Sequence, residues 1–139
     1  VRVITSHINV STKGNTDIID ITEKVQAALK KCGLKEGSAL IFVPGSTGAL
    51  TTIEYEPNLI KDTKDLFEKI APSAAQYAHR FTWNDDNGHS HLRASILGPS
   101  LVVPFIDCTL VLGTWQQIVF ADFDTTGRKR RLILQFTGT

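Results

Sequence analysis

Two segments with a helical spacing of apolar residues lie in the first half of this chain, and strand-like runs dominate the second half. That segregation constrains the fold more than any other feature. Helices gathered in one part of a chain and strands in another point to an α+β domain with a largely antiparallel sheet, not to alternating βαβ units. The first helix is expected to be capped by Asp20, with Glu23 three residues on as in a capping box. Ile21, Val25, Ala28, Leu29 and Cys32 form its apolar face, and Gly33 takes the residue just past its end. The second helix opens at Pro57 and stops before Pro72, with Leu59, Ile60, Leu66, Phe67 and Ile70 along one side. Lys61 and Asp65 can pair on the other side at i, i+4.

Strands are expected from Val1 to about Val10, over Ala39–Val43 as a short run covered on both faces, and from Leu50 to Tyr55. From about residue 90 onward the chain reads as mostly strand, including Leu101–Val103, Thr109–Leu112, Thr114–Phe123 and Arg130–Thr137. Asp124-Thr-Thr-Gly127 is expected to close a tight hairpin between the last two. In Thr114–Phe123, Trp115, Val119 and Phe123 face one way and Ile118 and Phe120 the other, so both faces are partly apolar. Either helices or another subunit must cover the second face, and burial by a subunit is the expectation.

The 139 residues fit one domain, 1–139, large enough for a real core. A hydrophobic content of 42% with 21% charged residues is that of a folded chain and argues against disorder. The net charge of +1 creates no field that would recruit nucleic acid or an anionic membrane, and no reading motif for nucleic acid is present. No apolar run is long enough to span a bilayer, and the first residues lack the apolar core of a signal peptide. Two cysteines without CxxC spacing read as isolated thiols in a reducing cytoplasm.

Three of the four histidines fall in the segment His79-Arg-Phe-Thr-Trp-Asn-Asp-Asp-Asn-Gly-His-Ser-His91. If His89-Ser90-His91 is extended, both imidazoles project from the same face. Two neutral imidazoles with carboxylates close by suit a divalent metal or acid–base work near pH 7. The same residues also make an ordinary surface turn, since Asn-Asp-Asp-Asn-Gly is a turn signal. Gly45-Ser46-Thr47-Gly48 is a hydroxyl-rich loop whose N–H groups can cradle an anion, or a simple strand connection needing positive φ. It lacks the lysine of a P-loop. Glu54 stands near a strand end, Gly113-Thr-Trp-Gln-Gln117 can orient a planar polar ligand, and Arg128-Lys-Arg-Arg131 reads as a solvated strand edge or an anion site.

Taken in order, Pro44-Gly-Ser-Thr-Gly-Ala-Leu-Thr-Thr-Ile-Glu54, His79, Asn87-Gly-His-Ser-His-Leu-Arg-Ala-Ser-Ile-Leu-Gly-Pro-Ser100, Gly113-Thr-Trp-Gln-Gln117 and the Arg-rich final strand resemble the YjbQ-like proteins, also called the secondary thiamine-phosphate synthase family. The resemblance spans nearly the whole chain. It implies a compact fold assembling as a homotrimer and a histidine-lined site able to hold a metal. It also implies a weak ability to couple the thiamine pyrimidine diphosphate to the thiazole phosphate. Many members carry histidine where this chain has Gly45, so the chemistry here is expected to differ if that imidazole takes part.

The resulting expectation is a cytoplasmic, trimeric, enzyme-like protein acting on a small phosphorylated metabolite. His79, His89 and His91 would bind a divalent metal, Zn²⁺ first, and Glu54, Asp86 and Gln116 would serve the chemistry. The loop Gly45, Ser46, Thr47 and Gly48, with Asn87, Trp115 and either Arg93 or Arg130, would hold the substrate and its phosphate. The competing reading is a non-catalytic trimer that binds a metal or phosphometabolite, and a third is a structural trimer whose histidines only hydrogen-bond.

Overall fold

The computed structural model describes residues 1–139. In chain order the elements are β1 (Arg2–Ser11), β2 (Asp17–Asp20), α1 (Thr22–Cys32), β3 (Gly37–Phe42), β4 (Gly48–Ile53), α2 (Pro57–Ile70), α3 (Arg80–Trp83), α4 (Gly88–Leu97), β5 (Ser100–Ile106), β6 (Thr109–Leu110), β7 (Gln117–Asp122) and β8 (Lys129–Gly138). They form an α+β fold with two antiparallel sheets, one ordered β1-β8-β3-β5-β6 and the other β2-β7-β4. No helix is long and apolar enough to cross a membrane.

The two sheets share one core. Ala39 and Ile41 of β3, Val103 and Phe105 of β5, and Leu132, Leu134 and Phe136 of β8 pack with Leu50, Ile118 and Phe120 of the smaller sheet. Val25 and Leu29 of α1 complete that cluster, which is the apolar face foreseen from their spacing. The other face of the smaller sheet forms a second cluster in which Ala49, Val119, Ala121 and Phe123 meet Phe67 of α2 and Ala94 of α4. The two-sided apolar pattern of β7 is therefore satisfied within the chain. Ile118 and Phe120 face the large sheet, while Val119, Ala121 and Phe123 face helices. Helices, not a second subunit, cover that face.

The structure corrects three further expectations. Residues 88–97 are helical, so helices are not confined to the first half. The buried positions His89, Ser90, Arg93 and Ala94 do recur with a helical period, but three of the four are polar, so a hydrophobic pattern does not reveal them. β7 and β8 belong to different sheets, so the turn after Asp122 is a crossover and not a hairpin. β3 has one face in the core and the other partly open, with Phe42 exposed.

Local signals elsewhere agree with the structure. Gly33 ends α1 in the left-handed conformation at φ 77°. The Asp20 carboxylate accepts the Thr22 N–H at 3.0 Å, although Glu23 closes no capping box. Pro57 opens α2, where the cap is Glu56, whose carboxylate accepts from the N–H groups of Asn58 and Leu59 at 2.8 Å each. Lys61 pairs with Asp65 at 3.1 Å, and both cysteines are free. Only Phe67 of the foreseen α2 face is fully buried, edge-on to Phe123 with centroids 4.9 Å apart. Truncation of a buried phenylalanine costs about 3–5 kcal/mol. Phe67→Ala is therefore expected to destabilise the protein by about that amount in urea unfolding. A loss below about 1 kcal/mol would mean that Phe67 does not anchor α2 to the sheet.

Candidate functional site

The loop between β3 and β4 and the first turn of α4 come together at the edge of the smaller sheet. Gly45, Ser46 and Gly48 line a cavity of about 270 Å³ with His91, Ala94, Ser95 and Pro99. Nδ1 of His91 lies 3.1 Å from the Ser46 carbonyl oxygen. A carbonyl only accepts, so Nδ1 carries the proton in the neutral ring, and Nε2 is left with a free lone pair. The ring of His79 stands edge-on to His91, with centroids 4.7 Å apart. Nε2 of His79 in turn lies 3.3 Å from Oδ1 of Asp85, and the side-chain amide of Asn87, if turned so that its nitrogen faces that carboxylate, reaches the same oxygen at 3.2 Å. This array of carboxylate, imidazole and second imidazole can orient rings and move a proton.

His89 does not join it. Residues two apart on a helix differ by about 200° in direction, so its side chain leaves the opposite side of α4 from that of His91. His89 is 5% exposed and its Nδ1 has no partner, as is also true of the Ser90 hydroxyl. A three-histidine zinc centre therefore does not fit. No group of three or more His, Cys, Asp or Glu side chains is arranged to hold a metal ion.

Beneath the loop lies a buried polar network that holds Thr47. Nε and Nη2 of Arg130 donate to the two carboxylate oxygens of Asp122 at 2.9 Å each, and Nη2 also donates to the Thr47 hydroxyl at 2.8 Å. Burial alone would raise the pKa of Asp122, but Arg130, the Thr12 hydroxyl and the Asp124 N–H outweigh it and lower it. Thr47 donates to Asp124 at 3.1 Å, and Asp124 pairs with Arg128. Arg130 is thus no solvated edge residue: it lies in β8, an interior strand between β1 and β3, and is only 6% exposed. Gly45 has φ 127°, where a side chain is strained, and an added Cβ would stand 3.2 Å from Nη1 of Arg130. A side chain at 45 would therefore strain this loop and press on Arg130.

Arg93 is structural. Its guanidinium donates to the Ala71 carbonyl at 3.0 and 2.8 Å, to the Thr16 hydroxyl at 2.8 Å and to Glu68 at 2.9 Å, tying α4 to the end of α2 and to the approach to β2. The Ser73 N–H, Arg93 and the Ser73 hydroxyl hold the Glu68 pKa down at about 2. Glu54 is exposed just past β4 and makes no hydrogen bond. Gln116 donates to the Thr52 hydroxyl at 3.2 Å and, with Thr51, Thr52 and Leu101, lines a separate cavity of about 310 Å³. Trp115 beside it is 72% exposed. Asp86 lines a third cavity, of about 700 Å³, with Tyr77, Phe81 and Asp85. Within the chain, then, His79, His91 and the Gly45–Gly48 loop meet, while Glu54, Trp115 and Gln116 stand elsewhere. Sequence reasoning missed Asp85 as the partner of His79 and Asp122 as the anchor of Arg130. Asp85 lay within the histidine segment, whereas nothing in the sequence marked Asp122.

Burial pushes the pKa of His89 below 6.5, and the nearby Arg93 charge adds to the shift. The unfolded chain takes up a proton that the folded ring resists, so this contribution to stability is complete above the unfolded pKa near 6.5 and is lost as pH falls below it. Between pH 7.5 and 5.5 the wild type is expected to lose more unfolding free energy than His89→Gln, measured by urea denaturation. Equal losses would show that His89 titrates alike in the folded and unfolded states.

Residues 6–139 match the family model described as UPF0047 protein YjbQ-like. The chain is 36% identical over 137 residues to a UPF0047 protein of Methanothermobacter thermautotrophicus, covering 99% of this chain and 94% of that one. It is 37% identical over 128 residues to a UPF0047 protein of Archaeoglobus fulgidus, covering 92% and 97%. Among solved structures, a YbjQ-like protein of unknown function from Sulfolobus solfataricus superposes with a TM-score of 0.93 at 33% identity, covering 99% of each chain. A hypothetical protein from Aeropyrum pernix gives a TM-score of 0.91 at 32% identity, covering 98% of this chain and 99% of that one.

Proposed function

Because the chain belongs to the UPF0047 protein YjbQ-like family, we propose that the cavity between the Gly45–Gly48 loop and α4 binds a small phosphorylated metabolite, and that His91 and His79 move a proton on it. The observation that carries this reading is the contact between His91 Nδ1 and the Ser46 carbonyl. It fixes the tautomer and leaves Nε2 basic beside the cavity wall, while Asp85 orients the second ring. A base held in this way beside a loop with N–H donors suits chemistry in which a phosphorylated group departs or is attacked. The coupling of a pyrimidine diphosphate to a thiazole phosphate belongs to that class. The thiazole nitrogen forms the new C–N bond, the C–O bond to the diphosphate breaks, and pyrophosphate leaves with its charge neutralised by donors. We take this as a weak secondary activity, with the cytoplasm as its setting.

A second reading, a non-catalytic phosphometabolite-binding protein, is favoured by Glu54 and Gln116 standing away from the two histidines. Turnover separates the two. His91→Ala and His79→Ala are each expected to lower coupling turnover at least tenfold with the fold intact by circular dichroism, and turnover unchanged in both variants would remove the imidazoles from the chemistry.

We also propose a trimer. The outer face of the five-stranded sheet carries no helix and exposes Val3, Phe42 and Val102, and Ile106, Val111 and Trp115 are exposed as well. Patches of that kind mark association surfaces. Sedimentation equilibrium should give three times the 15.3 kDa chain mass. A monomer mass at micromolar concentration would contradict the assembly.

A further inference from the structure

Behind the Gly45–Gly48 loop, whose residues line the cavity, lies a guanidinium that the proposed chemistry does not use. Arg130 has five N–H donors, and those on Nε and Nη2 are committed to Asp122 and Thr47. Nη1 donates to nothing in the protein, yet it is not among the buried polar atoms sealed from solvent without a partner. Groups on a guanidinium this buried are normally hydrogen-bonded, so a free Nη1 calls for a reason. Gly45 lies beside it. There an added Cβ would meet Nη1 at 3.2 Å and no other atom within 4 Å, so the space above is open. The N–H groups of Gly45 and Ser46 likewise have no partner in the protein, and both residues line the cavity.

We propose that Nη1 of Arg130, reached past the missing side chain of Gly45, joins the N–H groups of Gly45 and Ser46 in a subsite for a terminal phosphate, and that residue 45 determines access to it. This rests on reading the cavity as a phosphometabolite site and names the part of the ligand held there. Three separate donor groups match the three terminal oxygens of a phosphomonoester, whereas a carboxylate offers only two. Asp122 neutralises the charge of Arg130 and fixes its fork. Selection therefore rests on the placement of donors and not on net charge, and the affinity for the bare ion is modest, in the millimolar range. His91, on the same cavity wall, is then next to the phosphate ester end of a bound metabolite.

The test is a titration of the ¹⁵N-labelled wild-type protein with inorganic phosphate, with sodium acetate at equal ionic strength as the second arm. Phosphate is expected to shift the Gly45 and Ser46 amides and the Arg130 Nε resonance together, with one dissociation constant, and acetate to leave them in place. Gly45→Ala, which places a methyl over Nη1, is expected to weaken phosphate binding at least tenfold. Arg130→Lys, which keeps a charge against Asp122 but replaces the three guanidinium nitrogens, Nη1 among them, with a single ammonium, should do the same. Thermal unfolding of both variants is followed in parallel, and the wild-type titration decides the matter if either fails to fold. Shifts confined to His79 and His91 would overturn the Arg130 subsite while leaving the cavity as the metabolite site. No shift anywhere around the cavity up to saturating phosphate would overturn both. Acetate shifting the same amides equally would show a general anion site and overturn the assignment to phosphate.

Discussion

The pair formed by Arg130 and Asp122 holds together what the rest of the structure depends on. Arg130 belongs to the large sheet and Asp122 to the small one, so their two hydrogen bonds cross between the two layers. Thr12 at the end of β1 donates to the same carboxylate, and Thr47 accepts from the same guanidinium. One buried ion pair therefore fixes the relative position of the sheets and the conformation of the loop beneath which it lies. Removing one partner of such a pair costs about 3–5 kcal/mol, because the other is left charged and buried. Replacing both with apolar residues is often nearly neutral, so the pair serves placement more than stability.

Placement is what the site needs. Thr47 anchors the loop from below through Arg130 and Asp124, and Ser46 meets His91 of α4 from the side. α4 is held in its turn by Arg93, which ties it to the end of α2 and to Thr16. Polar contacts thus position both walls of the cavity, whereas apolar contacts hold the sheets. That division follows from geometry. A hydrogen bond fixes distance and direction, while apolar burial only favours contact.

Much of the fold was legible in the sequence because its signals are local. The apolar stripe of α1 with Gly33 after it, the proline at the start of α2 and the β-branched strands each depend on neighbours within a few residues. α4 was not legible, since its buried face is His89, Ser90 and Arg93, residues that normally face water. Reading that segment as a strand put His89 and His91 on one face, whereas the helix sends them to opposite sides. The loss of the three-histidine centre follows from that single change of period.

The sequence by itself determined the α+β class, most of the strands, the two long helices, the family and the loop and histidine that form the cavity, because spacing and motif order carry those. Only the tertiary structure decided that His91 pairs with His79 and not with His89, that Arg130 and not Arg93 lies under the loop, and that Trp115 and Gln116 stand apart from both. Those outcomes rest on contacts between residues far apart in the chain, such as Thr47 with Arg130 across 83 positions. No local pattern encodes such a contact. It exists only when the sheets have packed and a buried polar group must find its partner among whatever the fold brings near.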